Sequence, residues 1–140
     1  MLAQNSQTAS FIALLFICLM LAVQMLIAGS SKARLPGAIP GKLDPDLGHK
    51  SFVYRAHRTF QNSLENMPLL LGAALLALQI DTPADWTATF LWTFAIARLI
   101  HMVLYYAIAT DKNPSPRSYF YLLALAANMG LLGLCGVTLL

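Results

Sequence analysis

A chain of 140 residues that is 58% hydrophobic and only 11% charged is short of charge, since soluble domains carry about a quarter charged residues. Its apolar residues fall in runs longer than a soluble core of this size needs, which points to a small polytopic membrane protein with room for one domain. A net charge of +3, spread over connections and helix interiors with no basic stripe, argues against nucleic-acid binding.

Met1 to Ser10 carries no Lys or Arg, whereas a secretory leader opens on positive charge. The run from Phe11 to Ala28 is long enough to cross a bilayer, so it reads as a retained first helix over about 10–31, interrupted only by Gln24. Gly29-Ser30-Ser31 leads into a polar connection dense in the turn formers Pro36, Gly37, Pro40, Gly41 and Pro45. A second helix is expected over about 51–80, polar in its first half and apolar from Met67 to Leu78, with Pro68 predicting a kink. Thr82 is expected to cap a third helix over about 84–109, with Pro83 at its first position and Asp85 complementing the dipole. In the next turn Ser115 caps and Pro116 begins a fourth helix over about 116–139. There Gly130, Gly133 and Gly136 permit close backbone contact. Cys18 and Cys135 lie inside apolar runs without metal or redox spacing, and read as buried, inert thiols. Residues 1–140 are therefore expected to form one all-α domain, an integral membrane four-helix bundle with no metal site.

Orientation follows from the loops. The first connection holds Lys32, Arg34, Lys42 and Lys50, and the third holds Lys112 with Arg117 at its edge. The second has only Asp81 and Asp85. By the positive-inside rule, loops one and three face the cytoplasm and both termini face out, with Trp86 as an interfacial anchor.

Ionisable residues interrupt the apolar runs. A charge at the centre of a membrane helix costs roughly 2.5–3.5 kcal/mol on insertion scales, so it usually faces a protein interior and marks a site. Arg58, Asn62 and Glu65 fall at i, i+4 and i+7 on the second helix, on one face. Arg98, His101 and Tyr105 fall at i, i+3 and i+7 on the third, and Arg117, Ser118 and Tyr121 open the fourth. All three stripes lie toward the same end, with Arg98 deepest. Three arginines against one glutamate leave cation in excess, and arginine grips carboxylates through a two-pronged contact. A small zwitterion with more than one carboxylate complements such a site, with Glu65 available to its amine. The bland alternatives are an Arg58–Glu65 pair that only holds helices together, and snorkelling by Arg55 toward the loop. His49 and His57 read as surface residues, and Tyr106 as an interfacial one.

The segment from Arg55 to Pro68, with its Arg58-x-x-x-Asn62-x-x-Glu65-x-x-Pro68 pattern, resembles the MAPEG family (membrane-associated proteins in eicosanoid and glutathione metabolism). Arg98-x-x-His101-x-x-x-Tyr105 is similar to the family's third-helix pattern. The resemblance implies four transmembrane helices, a homotrimer, and glutathione bound between neighbouring subunits as cosubstrate. It also implies that Arg58, Asn62, Glu65, Arg98, His101, Tyr105 and Tyr121 contact glutathione. Arg117 and Ser118 resemble the arginine-serine pair that activates the thiol, and Lys32 or Arg34 stands where the family has a basic residue after its first helix. The partners implied are copies of the chain, glutathione, lipophilic small molecules and membrane lipid. Short loops and a compact motif are in the style of a bacterial inner-membrane protein.

The expected function is a glutathione-dependent membrane transferase or peroxidase acting on lipophilic electrophiles or lipid hydroperoxides, with Arg117 holding the thiolate. Its main rival is a non-catalytic lipid-binding or regulatory protein on the same scaffold. A proton-coupled transporter fits less well, because it would want a glutamate free of neighbouring arginine.

Overall fold

The computed structural model describes residues 2–140, with side chains from residue 5 onward, and contains no strand among the described residues. Its elements are α1 (Leu2–Ala33), α2 (Phe52–Gln79), α3 (Ala84–Ala107) and α4 (Pro116–Leu139). The all-α bundle expected from the apolar runs is the architecture found. α3 is central: it packs against α1, α2 and α4, and α2 also touches α1 and α4. Among the described residues α1 and α4 do not meet.

α1 begins well before residue 10, taking in the polar turn from Asn5 to Thr8. α3 supplies partners for that turn. The Asp85 carboxylate accepts from the Ser6 hydroxyl, and Trp92 Nε1 donates to the Ala9 carbonyl at 3.1 Å. Farther along, Ser10, Ala13, Ile17, Met20, Gln24 and Ala28 are buried at helical spacing, while Phe11, Leu15, Leu19, Val23 and Leu26 are exposed. One face meets protein and the other is left for lipid. Cys18 departs from expectation: one position after Ile17, it falls on the exposed face.

Among the described residues three helices are long and apolar enough to cross a membrane: α1 from Asn5, α3 and α4. α2 falls short because Arg55, Arg58 and Glu65 occupy its first half. It is held instead by a buried stripe of small and hydroxyl-bearing residues (Ala56, Thr59, Ser63, Ala73, Ala77) with Met67 and Leu70. The helix runs on through Pro68, whose ring lies on the exposed side.

The junction after α2 corrects the expected cap. Asp81 takes a positive φ of 52°, and the Thr82 N–H bonds back to the Ala77 carbonyl at 3.1 Å. That is the bonding of a helix C-terminal cap. The Thr82 hydroxyl also donates to Ala77 O and lies 2.6 Å from the Thr87 hydroxyl, so Thr82 closes α2 and Pro83 precedes α3. At α4 the expectation holds: Ser115 is the N-cap and Pro116 the first helical residue. Of the three glycines on α4, only Gly130 meets a neighbour, the Phe90 ring of α3; Gly133 and Gly136 face open space. The Cys135 thiol is buried between α4 and α2, 3.6 Å from the Ala73 carbonyl.

Candidate functional site

The polar stripes of α2, α3 and α4 converge at the end of the bundle that carries the first and third loops. Arg98 is the deepest member, only 1% exposed. Its Nη1 donates to Asn62 Oδ1 and its Nη2 to Ser63 Oγ, both at 2.7 Å. Neither partner is charged, and the only ion pair among the described residues is His49–Asp111. Arg98 therefore keeps its positive charge unneutralised inside the bundle. Because Asn62 spends its carbonyl oxygen on Arg98, its amide N–H groups are left to donate elsewhere.

About two turns nearer the loops, the Tyr105 ring is a hub. The Arg117 guanidinium carbon lies 4.0 Å from its centroid, and the His101 and His49 rings lie 5.5 and 5.8 Å away. Tyr121 flanks His101 at 6.4 Å. Arg117 Nη2 also donates to the Thr110 carbonyl at 3.0 Å, which ties the start of α4 to the loop after α3. Stacking over a ring and bonding to a carbonyl hold a guanidinium in place without cancelling its charge. His101 is 3% exposed, and its Nδ1 has no hydrogen-bond partner.

Ser118 has a structural task. Its Oγ accepts the Ser115 N–H at 3.2 Å and lies 3.2 Å from the Ser115 hydroxyl, completing the N-terminus of α4. A residue so placed presents the arginine beside it in a defined direction.

Other predicted residues separate. Glu65 is exposed on the outer face of α2 and makes no ion pair, while Arg58 Nη1 donates to Gln61 Oε1 at 3.1 Å. An Arg58–Glu65 pair inside the chain is thereby corrected: seven residues put the two on one face but about two turns apart. Arg98 is enclosed by the chain itself, and of its two partners Asn62 is the more exposed. Lys32 does not join the cluster; it lines a cleft in the first loop.

His49 is corrected from a surface residue to a member of the site. Its ring packs edge-on against Tyr54 at 5.0 Å and tilts over Tyr105, with Nε2 3.9 Å from Asp111 Oδ1. Burial holds its pKa below the usual value, with Arg117 adding to the effect and Asp111 opposing it. Arg55 clamps this arrangement, donating to the carbonyls of His49 (2.7 Å), Lys50 (3.0 Å) and Tyr106 (3.3 Å). Nothing in the local sequence announces His49, because a loop residue has no periodicity to show which way it folds. Ser63 was legible in principle: it shares the buried stripe of Thr59 and Met67, the face that meets α3. Among the described residues no group of three metal-ligating side chains stands together.

Compared with known proteins, the chain matches the model of the MAPEG family over residues 9–137. No curated protein and no solved structure shows a match.

Proposed function

This chain belongs to the MAPEG family, an integral membrane protein of glutathione and eicosanoid metabolism, and from that premise we propose that it is a glutathione-dependent transferase or peroxidase acting on lipophilic electrophiles. The observation that carries the reading is Arg117, fixed over the Tyr105 ring with no carboxylate to neutralise it. A free thiol of the cysteine type has a pKa near 8.5, and an adjacent fixed cation lowers it, so thiolate becomes available at neutral pH.

The remaining residues suit a tripeptide with two carboxylates and one amine. Arg58 and the outward N–H groups of Asn62 supply donors, backed by the Arg98 charge. Glu65, exposed on α2 and in no ion pair among the described residues, suits the amine. In conjugation the S–H proton leaves to water, the sulfur pair forms a bond to the electrophilic carbon, and the leaving group departs with its electrons. With a hydroperoxide, the thiolate attacks the terminal oxygen, the O–O bond breaks to leave a sulfenic acid, and the departing alkoxide takes a proton from water to become an alcohol. A second glutathione then reduces the resulting sulfenic acid, giving the disulfide and water. The apolar exterior lets such substrates arrive from the bilayer.

The test is glutathione-dependent conjugation of chlorodinitrobenzene by the purified protein, with thiolate formation followed by stopped-flow absorbance. Turnover accompanied by a thiolate signal supports the reading. Glutathione binding without either signal would establish the non-catalytic alternative.

A further inference from the structure

We infer that the first loop forms a binding site for the headgroup of an anionic phospholipid. Between α1 and α2 the chain folds through successive turns, closed by bonds from Leu35 N to Lys32 O, Ala38 N to Leu35 O and Lys42 N to Ile39 O. Gly37 and Gly41, with φ of 68° and 78°, take the left-handed conformations that these tight reversals need. The turns enclose a cleft of about 480 Å³.

Its lining is two-sided. Lys32 and Lys42 bring two ammonium groups, and neither is in an ion pair among the described residues. The one carboxylate on the wall, Asp44, is engaged locally, its Oδ1 accepting the Asp46 N–H at 3.0 Å. The rest of the wall is largely apolar, with Leu35 and Leu43 beside Ile39, which is 57% exposed. Lys32 stands about one turn beyond Ala28, the last buried apolar residue of α1. The apolar run of α1 ends at Ala28 and polar residues follow it, the sequence pattern of a chain leaving hydrocarbon for the headgroup layer.

Charge, apolar wall and depth together favour a lipid over a free anion. Inorganic phosphate would answer the lysines and leave Leu35, Ile39 and Leu43 facing water. A phospholipid covers them with its glycerol and first methylenes while its phosphate meets the ammonium groups. The site is separate from the Tyr105 cluster, so it stands or falls independently of the glutathione reading.

Native mass spectrometry of the detergent-solubilised full chain, titrated with phosphatidylglycerol or phosphatidylcholine, tests this. Phosphatidylglycerol should be retained at least about tenfold more tightly, since each lysine near an anionic surface contributes about fivefold. The pair Lys32→Gln with Lys42→Gln should abolish that preference. The pair Lys50→Gln with Lys112→Gln, which removes equal charge outside the cleft, should keep it. Equal retention of the two lipids by the wild type overturns the proposal, as does equal loss in both double variants. Displacement of the lipid by inorganic phosphate would show a free-anion site instead and likewise overturn it.

Discussion

The guanidinium of Arg117 and the ring of Tyr105 are in face contact at 4.0 Å, and this contact couples the start of α4 to the end of α3 at the mouth of the site. A cation held by a ring keeps its charge available to a ligand, whereas one held by a carboxylate does not. Replacing Arg117 by Ala should cut glutathione-dependent turnover about a hundredfold, the scale on which single fixed donors act in transition states. The KM for glutathione should change far less. Tyr105→Phe should retain most activity and Tyr105→Leu should not, because only the first preserves the ring. Similar activity in the two variants would show that the stacking does not matter.

Asn62 is predicted to bind glutathione in an orientation set by Arg98. In Asn62→Asp the new carboxylate pairs with Arg98, so thermal stability should be kept or raised. The outward amide donor is lost, and the KM for glutathione should rise about tenfold, the worth of a charge-assisted hydrogen bond. Asn62→Leu should instead lower stability by about 1–3 kcal/mol by stranding the guanidinium. A dissociation constant for glutathione unchanged in Asn62→Asp removes Asn62 from the binding site.

Gly130 should not tolerate a side chain. A Cβ there would run into the Phe90 ring, and overpacking of this kind costs about 1–3 kcal/mol. Gly130→Ala should lower the melting temperature, and adding Phe90→Leu should recover part of the loss. Gly133→Ala, facing open space, is the control and should be silent. Purely additive effects of the Gly130 and Phe90 changes would argue against the contact.

Stability should depend on pH through His49. Its folded pKa is held below the ordinary 6.5, chiefly by burial and then by Arg117, with Arg58 and Arg55 adding smaller effects and the Asp111 carboxylate opposing them. The folded protein thus takes up this proton at lower pH than the unfolded chain. The contribution is fully present above pH 6.5, falls as pH drops through the window below it, and levels off once folded His49 is protonated too. Melting temperatures of wild type and His49→Gln, scanned from about pH 8 to 5, should diverge across that window, the variant being flatter. Parallel curves would remove His49 as the cause.

Ser115→Ala should cost about 1 kcal/mol, the usual worth of a helix N-cap. Ser118→Ala should lower both stability and turnover, because the same hydroxyl finishes the cap beside Arg117. Reduced turnover with an unchanged melting temperature would point to direct contact between Ser118 and the thiol.

Much of this molecule was legible along the chain. The apolar runs marked four helices, and Ser115-Pro116 marked where α4 starts, because periodicity and capping are local properties written within a few residues. The spacing of Arg58 with Asn62, of Arg98 with His101 and Tyr105, and of Arg117 with Tyr121 put polar stripes on three helices. Local reading failed where two solutions satisfy the same residues: Thr82 suits the start of α3 as well as the end of α2, and the positive φ of Asp81 selected the second. It also failed for the first turns of α1, where the Ser6 hydroxyl and the Ala9 carbonyl find partners in Asp85 and Trp92 far along the chain.

Sequence alone thus determined the helices and the excess of cation over carboxylate on their polar stripes, since each depends on composition and on the 3.6-residue period. Only the tertiary structure decided which partners those cations have. Arg98 turned to Asn62 and Ser63 rather than to Glu65, and His49 folded in from a loop to lie over Tyr105. Helix rotation and loop path set those contacts, and both come from packing between segments distant in the chain, about which spacing within one segment carries no information.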